Sequence, residues 1–153
     1  MSLLLGSLFA LSSCGPDMIY DATREIPDTG WAYDDPLAFS FEVQDTNKVY
    51  NLWLEVEHAA DYKTQNLYTK ILTAFPDGHR MEETVSLELA NKAGVWYGKC
   101  DGKDCVLRVP LQSDTYFNQL GSYELGIEQF MRQDSIRGVR ALRFMVEDTG
   151  RAR

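Results

Sequence analysis

The chain has 153 residues, 44% of them hydrophobic and 25% charged, with a formal net charge of −8 at pH 7. This length fits one domain, and this composition excludes a disordered chain, a collagen-like repeat and a scaffold held by disulfides alone. An acidic chain without a Lys/Arg cluster repels phosphate backbones. We therefore expect no nucleic-acid partner.

The N-terminus carries the most informative local pattern. Residues 3–11 are apolar or small, and Ser12, Ser13, Cys14 and Gly15 follow. This order predicts a lipoprotein signal peptide over residues 1–13, with Cys14 as the lipidated residue. The apolar run is too short to span a bilayer core of ~30 Å, so the predicted membrane contact is a lipid anchor. The alternative is an apolar strand with an incidental buried cysteine.

Proline, glycine and aspartate punctuate the stretch after the predicted cleavage site. Such residues favour extended or turn backbone. We predict a lipidated tether over residues 14–36 and a folded domain over residues 37–153. The aromatic residues Tyr20, Trp31 and Tyr33 indicate that part of the tether lies against the domain.

Beyond residue 37, apolar and polar side chains alternate with a period of two, which is typical of half-buried strands. Turn residues separate the segments, as at 45–47, 76–78 and 120–122. These features predict an all-β fold, a two-layer antiparallel β-sandwich with jelly-roll-like topology and about eight strands. Residues 114–120 are predicted to form a single helical turn. The predicted core residues are Phe39, Phe41, Val43, Tyr50, Leu52, Leu54, Val56, Met81, Val85, Leu87, Leu89, Cys105, Leu107, Val109, Leu111, Tyr123, Leu125, Ile127, Met131, Leu142, Phe144 and Val146.

Two cysteines remain after Cys14 is assigned to lipid. Cys100 and Cys105 flank an Asp-Gly-Lys-Asp sequence typical of a hairpin loop, which brings the two sulfurs within bonding range. A disulfide and a pair of reduced structural cysteines are both open interpretations. We expect no metal site, because neither His58 nor His79 adjoins the cysteines.

No catalytic motif is present. The sequence has no zinc-binding His-Glu-x-x-His, no Gly-x-Ser-x-Gly elbow and no glycine-rich phosphate loop. Asp77, Gly78 and His79 form a turn signal in preference to an acid–base site. We therefore predict a protein that is not an enzyme, with no catalytic residue and no cofactor.

Four residues are candidates for a partner surface. Trp53 lies on the side of its strand that otherwise carries polar residues. It either stacks on a sugar or contacts a protein partner, or it packs beneath a loop or the tether. Glu128, Phe130 and Arg132 share one face if the strand continues through them. Gln129 falls on the opposite, inward phase, where its amide needs hydrogen-bond partners.

A series of short motifs runs through nearly all of the mature chain. In order they are Asp45-Thr46, Tyr50-Asn51-Leu52, Asn66-Leu67-Tyr68, Pro76-Asp77-Gly78, Glu83-Thr84-Val85, Gly94-Val95-Trp96-Tyr97-Gly98, Gly121-Ser122-Tyr123, Glu128-Gln129-Phe130-Met131-Arg132 and Ile136-Arg137-Gly138-Val139. With this order of motifs, and with the predicted lipidation signal that ends at Cys14, the chain resembles the gliding motility lipoprotein family GldH.

The resemblance implies an envelope lipoprotein required for gliding, in a group linked to the type IX secretion machinery. It implies no catalytic residue. We interpret the chain as a non-enzymatic binding or assembly component, with envelope proteins of gliding or secretion machinery as partners. A lipid-anchored glycan-binding module and a hydrolase with clustered carboxylates are the alternatives. Gly15, Pro16 and Asp17 lack the acidic run of a surface-export signal, so we expect the protein to face the periplasm.

Overall fold

The structure is a computed structural model that describes residues 15–153. Strands dominate this part of the chain. They are β1 (Asp17–Glu25), β2 (Trp31–Ala32), β3 (Leu37–Val43), β4 (Lys48–Ala59), β5 (Asn66–Ala74), β6 (Arg80–Glu88), β7 (Lys99–Cys100), β8 (Asp104–Thr115), β9 (Gly121–Gln129), β10 (Ser135–Ile136) and β11 (Val139–Ala152).

The strands form two facing antiparallel sheets. One has five strands in the order β1-β11-β4-β8-β7, the other four in the order β3-β9-β5-β6, and β10 and β2 pair separately. Phe144 of β11 meets Phe39 and Phe41 of β3 across the interface, with each pair of ring centroids 5.7 Å apart. The predicted all-β sandwich is confirmed, and eight strands remain when the two-residue strands β2, β7 and β10 are set aside. Jelly-roll topology stays a prediction.

The alternating pattern correctly predicted which side of most strands is buried. Leu54 and Val56 on β4 and Ile127 on β9 are fully buried. Met81 is the clear exception, because it has the core phase of β6 and is 45% exposed. Its side chain lines an open cleft at the edge of the sandwich instead of the closed core.

The stretch predicted to be a tether is largely folded. β1 begins at Asp17 and pairs with β11 as far as Glu25 opposite Ala141. Trp31 is 1% exposed, and its indole Nε1–H donates to the carbonyl of Asp35 at 2.8 Å. The folded domain thus begins near Asp17 and not at residue 37, because β1 covers an edge of β11 that the local sequence does not reveal. Cys14 lies outside the described residues.

The segment after β8 also differs from the prediction. Residues 116–120 form bends and irregular backbone, and the predicted helical turn over 114–120 is wrong. Phe117 packs inward against Phe41, Tyr50 and Tyr123, with ring centroids 4.9–5.7 Å apart. An aromatic anchor in the core therefore fixes this loop without helical hydrogen bonds.

Candidate functional site

The residues predicted to contact a partner lie on two faces of the molecule. Trp53 is on the outer face of the five-stranded sheet, whereas Glu128 and Phe130 lie at the end of β9 on the four-stranded sheet. β9 ends at Gln129, so Phe130 directly follows the strand, Arg132 lies in the bend beyond it, and the three residues do not share one strand face. The four residues predicted to contact a partner therefore do not form one surface.

Phe130 is the centre of an exposed aromatic and charged patch. Its ring stacks on Tyr33 with centroids 6.2 Å apart, and the Lys70 ammonium lies 5.1 Å from its centroid. Tyr68, next to Lys70 on the outward phase of β5, is 45% exposed. We call these residues and Glu128 the Phe130 patch. A cation over an aromatic face is attractive because the ring quadrupole is negative there.

Lys70 stays charged in this patch. Its Nζ lies 3.7 Å from Glu128 Oε2 and 3.8 Å from Glu82 Oε1. Desolvation lowers the pKa of Lys70, but the fields of Glu82 and Glu128 outweigh it and raise the pKa above its ordinary value. The side chains of Lys70 and Glu128 are only 19% and 13% exposed, so the patch presents mainly aromatic rings to solvent, with this ion pair half-buried beside them.

Gln129 fixes the backbone beneath the patch. It is 1% exposed, its Nε2 donates to the carbonyl of Gln133 at 3.0 Å, and its Oε1 accepts from the Met131 N–H at 2.9 Å. The inward orientation predicted for Gln129 is confirmed. Both hydrogen bonds span the bend after β9, and the Tyr33 N–H donates to the carbonyl of Asp134 at 2.7 Å. This network orients Phe130 relative to Tyr33.

The partner surface predicted from the sequence did not include three members of the patch. Tyr33, Tyr68 and Lys70 come from the segment before β3 and from β5, and only the pairing of β5 with β9 brings Lys70 opposite Glu128. Two signals were available in the sequence: the outward phase of Tyr68 between Leu67 and Thr69, and the aromatic Tyr33 in the stretch expected to lie against the domain.

Trp53 packs against neighbouring strands and forms a hydrogen bond within its own sheet. It is half-buried on β4, its cross-strand neighbours are Met145 and Pro110, and its indole Nε1–H donates to Glu147 Oε2 at 2.7 Å. Met145 is fully buried although it has the outward phase of β11. These contacts favour packing over an open sugar-stacking platform.

An ion-pair ladder crosses the same face as Trp53. Arg143 donates to both carboxylate oxygens of Asp21 at 2.7 and 2.6 Å, and its Nη1 lies 3.6 Å from Glu55. Arg108 donates to Glu55 at 2.9 Å. The hydrogen bonds from Arg143 hold the pKa of Asp21 below its usual range. Each exposed pair contributes only ~0–1 kcal/mol, but together they join β1, β11, β4 and β8.

Cys100 and Cys105 are directly opposite in the β7–β8 hairpin and form a disulfide. Cys105 is fully buried, while Cys100 is exposed. The bridge encloses a short loop, since the two residues are separated by 5 positions.

We expect Cys100→Ser to lower the free energy of unfolding by at most about 2 kcal/mol, because closing so short a loop removes little entropy from the unfolded chain. Urea denaturation with and without dithiothreitol measures the effect. Reductant should destabilise the unsubstituted protein and leave Cys100→Ser unchanged. An equal response of both proteins would show that the bridge contributes nothing.

Asp77 and His79 form a turn and not an acid–base pair. Asp77 Oδ1 accepts from the His79 backbone N–H at 2.9 Å, and Oδ2 accepts from Gln119 Nε2 at 2.8 Å. The backbone hydrogen bond from His79, followed by the Gln119 bond, lowers the pKa of Asp77. A carboxylate held ionised in this way is a poor general acid at neutral pH.

His58 is a core residue. It is fully buried, its Nδ1 lies 3.0 Å from the carbonyl of Ala59, and its ring packs 4.6 Å from that of Trp96. Burial lowers the pKa of His58, so the imidazole is neutral at pH 7. Over residues 15–153, no three His, Cys, Asp or Glu side chains are grouped to hold a metal ion. The same residues include no helix of sufficient length and apolarity to cross a membrane.

Comparison with known proteins gives a consistent family. The profile of the GldH lipoprotein family matches residues 18–146. The gliding motility lipoprotein GldH homolog of Christiangramia forsetii is 26% identical over 128 residues, covering 84% of this chain and 78% of its own. The gliding motility lipoprotein GldH of Flavobacterium johnsoniae is 28% identical over 143 residues, covering 92% of this chain and 87% of its own.

Among solved structures, dimeric latent PorU from Porphyromonas gingivalis aligns with 91% of this chain and 14% of its own. The TM-score is 0.27 and the identity 9%. Similarity at this level is no basis for an inference about fold or function.

Proposed function

This chain belongs to the GldH lipoprotein family, and on that premise we propose that it is a gliding motility lipoprotein that acts by binding and assembling other envelope proteins. The observation that carries the proposal is the family match over residues 18–146. Two relatives named as gliding motility lipoproteins or homologs, aligned over most of their lengths, support it. A role without catalysis and a connection to type IX secretion are further parts of the proposal.

The proposed attachment is a lipid on Cys14, after removal of residues 1–13. β1 starts at Asp17, so only two residues, Gly15 and Pro16, lie between the anchor and the folded domain. The three residue steps from Cys14 to Asp17 span at most ~10 Å, which would keep the sandwich close to the membrane surface. We propose that the domain faces the periplasm. A protease added to intact cells should leave it uncut, and cleavage there would contradict this orientation.

The Phe130 patch is the proposed partner surface. Phe130, Tyr33 and Tyr68 are each 38–45% exposed, and aromatic residues are enriched in protein interfaces. Lys70 and Glu128 add charges that select a complementary partner and its orientation. The Gln129 hydrogen bonds support the backbone on one side, which limits the entropy lost on binding.

We expect the double variant Tyr33→Ala/Phe130→Ala to weaken partner capture by about 30-fold, the effect of losing ~2 kcal/mol at an aromatic hot spot. In vivo photocrosslinking from position 130, followed by mass spectrometry, identifies the partner. Position 106 is the control, since Val106 is similarly exposed but lies on the other sheet.

The motility of a gliding strain lacking its own family member provides the functional readout. The double variant should fail to restore spreading while remaining folded and membrane-bound. Full spreading with an unchanged crosslinking pattern would reject the Phe130 patch as the partner surface.

Single substitutions test the non-enzymatic part of the proposal. Removal of a catalytic acid, base or nucleophile typically costs ~10²–10⁴-fold in rate, whereas trimming a binding surface lowers function in steps. We expect His79→Ala, Asp77→Asn and Glu83→Gln each to retain spreading. If one of them abolished spreading in a folded, lipidated protein, a search for a substrate would replace the assembly proposal.

A further inference from the structure

An apolar cleft opens between the two sheets where β6 faces β8. Its volume is about 410 Å³, within the ~300–1,000 Å³ typical of small-molecule sites. Its walls are largely apolar, whereas Asp77, Gln119 and Asn118 stand among its loop residues. The side chains that form its apolar interior are Leu52, Ile71, Phe75, Val85, Leu111 and Phe117.

The inward side of β6 becomes more exposed toward the cleft. On its inward phase Leu87 is 4% exposed, Val85 is half-buried and Met81 is 45% exposed. On the facing side β7 pairs only with the start of β8, and the register of β8 against β4 shifts twice between Tyr50 and Trp53. Core-phase side chains are therefore left partly accessible on both walls.

Both strand edges beside the cleft discourage the addition of a further β-strand. Pro110 in β8 has no backbone N–H to donate, and Glu83 places a charge on the inward phase of β6. Proline and inward-pointing charges are features by which natural sheets block edge-to-edge pairing. The cleft thus suits an apolar ligand that brings no backbone groups of its own.

The cleft lies at the end of the sandwich where the described chain begins. Asp17 pairs with Asp148, Asp148 with Tyr50, and Tyr50 with Thr115, which lines the cleft. The proposed lipid anchor at Cys14 would therefore place the cleft near the membrane. The guanidinium of Arg153 lies 3.8 Å from the ring centroid of Tyr116, another lining residue, so a cation of the kind that binds phosphate stands beside the cleft.

We propose that this cleft binds one long acyl chain of a separate membrane phospholipid. That the ligand comes from the membrane rests on the proposed anchor at Cys14. That the ligand is an acyl chain rests on the shape and apolar walls of the cleft alone. The protein's own anchor is a poorer occupant, because its acyl chains hold the protein in the bilayer. Withdrawing an anchor chain from the bilayer would weaken attachment, since a single acyl chain holds a protein only marginally.

Photolabelling of the intact lipoprotein tests the proposal. The purified protein is reconstituted into phosphatidylethanolamine vesicles that contain a phospholipid with a diazirine on one acyl chain. After illumination, mass spectrometry should find the label in residues 80–88 and 111–119. Label confined to residues before Asp17 would overturn the proposal.

Matched variants connect the labelling to the cleft. Met81→Asp should lower it about tenfold, because a second carboxylate on the inward phase of β6, beside that of Glu83, replaces an apolar contact and raises the cost of burying an acyl chain. Thr84→Asp adds the same charge on the outward phase of β6 and should leave the labelling unchanged. Leu111→Gln provides a second, uncharged disruption of the wall. Labelling that survives both cleft variants would overturn the proposal.

A second experiment tests the acyl-binding site independently of the lipid anchor. Full-length Cys14→Ser protein, mixed with diazirine-bearing palmitate in solution, should be labelled at the same residues even if the anchor proposal fails. Absence of label at the cleft residues of Cys14→Ser would reject the acyl site. A structure of the protein with a peptide strand bound in the cleft would also reject it. Strong label on Cys14→Ser with little on the anchored protein from vesicles would assign the cleft to the protein's own lipid and overturn the proposed source.

Discussion

Phe144→Ala should lower the free energy of unfolding by about 3–5 kcal/mol, the usual cost of deleting a buried phenylalanine ring. Phe144 is fully buried between the sheets, and its ring lies 5.7–5.9 Å from those of Tyr20, Phe39 and Phe41. Alanine leaves a cavity that three aromatic neighbours from two other strands cannot easily fill. Urea denaturation followed by tryptophan fluorescence measures the change.

Phe130→Ala is the matched control, since it removes the same ring from an exposed position. Phe130 is 38% exposed, and its ring stacks on Tyr33 and lies beneath the ammonium of Lys70. We expect a cost below ~1 kcal/mol. If the two substitutions cost the same, the packing of β11 against β3 described above is incorrect.

Cys14→Ser should abolish lipid attachment and move the protein from the membrane fraction to the soluble fraction. A serine hydroxyl cannot replace the thiol that accepts the diacylglyceryl group. Metabolic labelling with a fatty-acid analogue and fractionation of cells measure both effects. Cys100→Ser also removes one cysteine and should keep full label. Label that persists in Cys14→Ser would reject Cys14 as the attachment site.

The same variant should lose motility function without loss of fold. The domain from Asp17 onward contains both sheets and their core, so we expect its stability to be independent of the anchor. Attachment confines the protein to the membrane surface and thereby raises its effective concentration near membrane-bound partners. A soluble Cys14→Ser protein that restores full spreading would show that assembly needs no anchor.

The sequence by itself determined the class of fold and the family. Alternation along β4 and β9 identified Leu54 and Ile127 as core residues, because a strand turns successive side chains to opposite faces and water excludes the apolar ones. The inward position of Gln129 followed from the same phase. These inferences succeed because they depend on neighbours close in the chain.

The tertiary structure alone decided which surfaces are closed and which residues meet. β1 joined the five-stranded sheet through its pairing with β11, more than a hundred residues away along the chain. Met81 has a core phase but stays accessible because the facing sheet does not close over it. Lys70 reaches Phe130 through the pairing of β5 with β9, and Tyr33 reaches it through the pairing of β2 with β10. A local pattern specifies the orientation of a side chain along its strand, whereas its burial and its partners depend on contacts between distant segments.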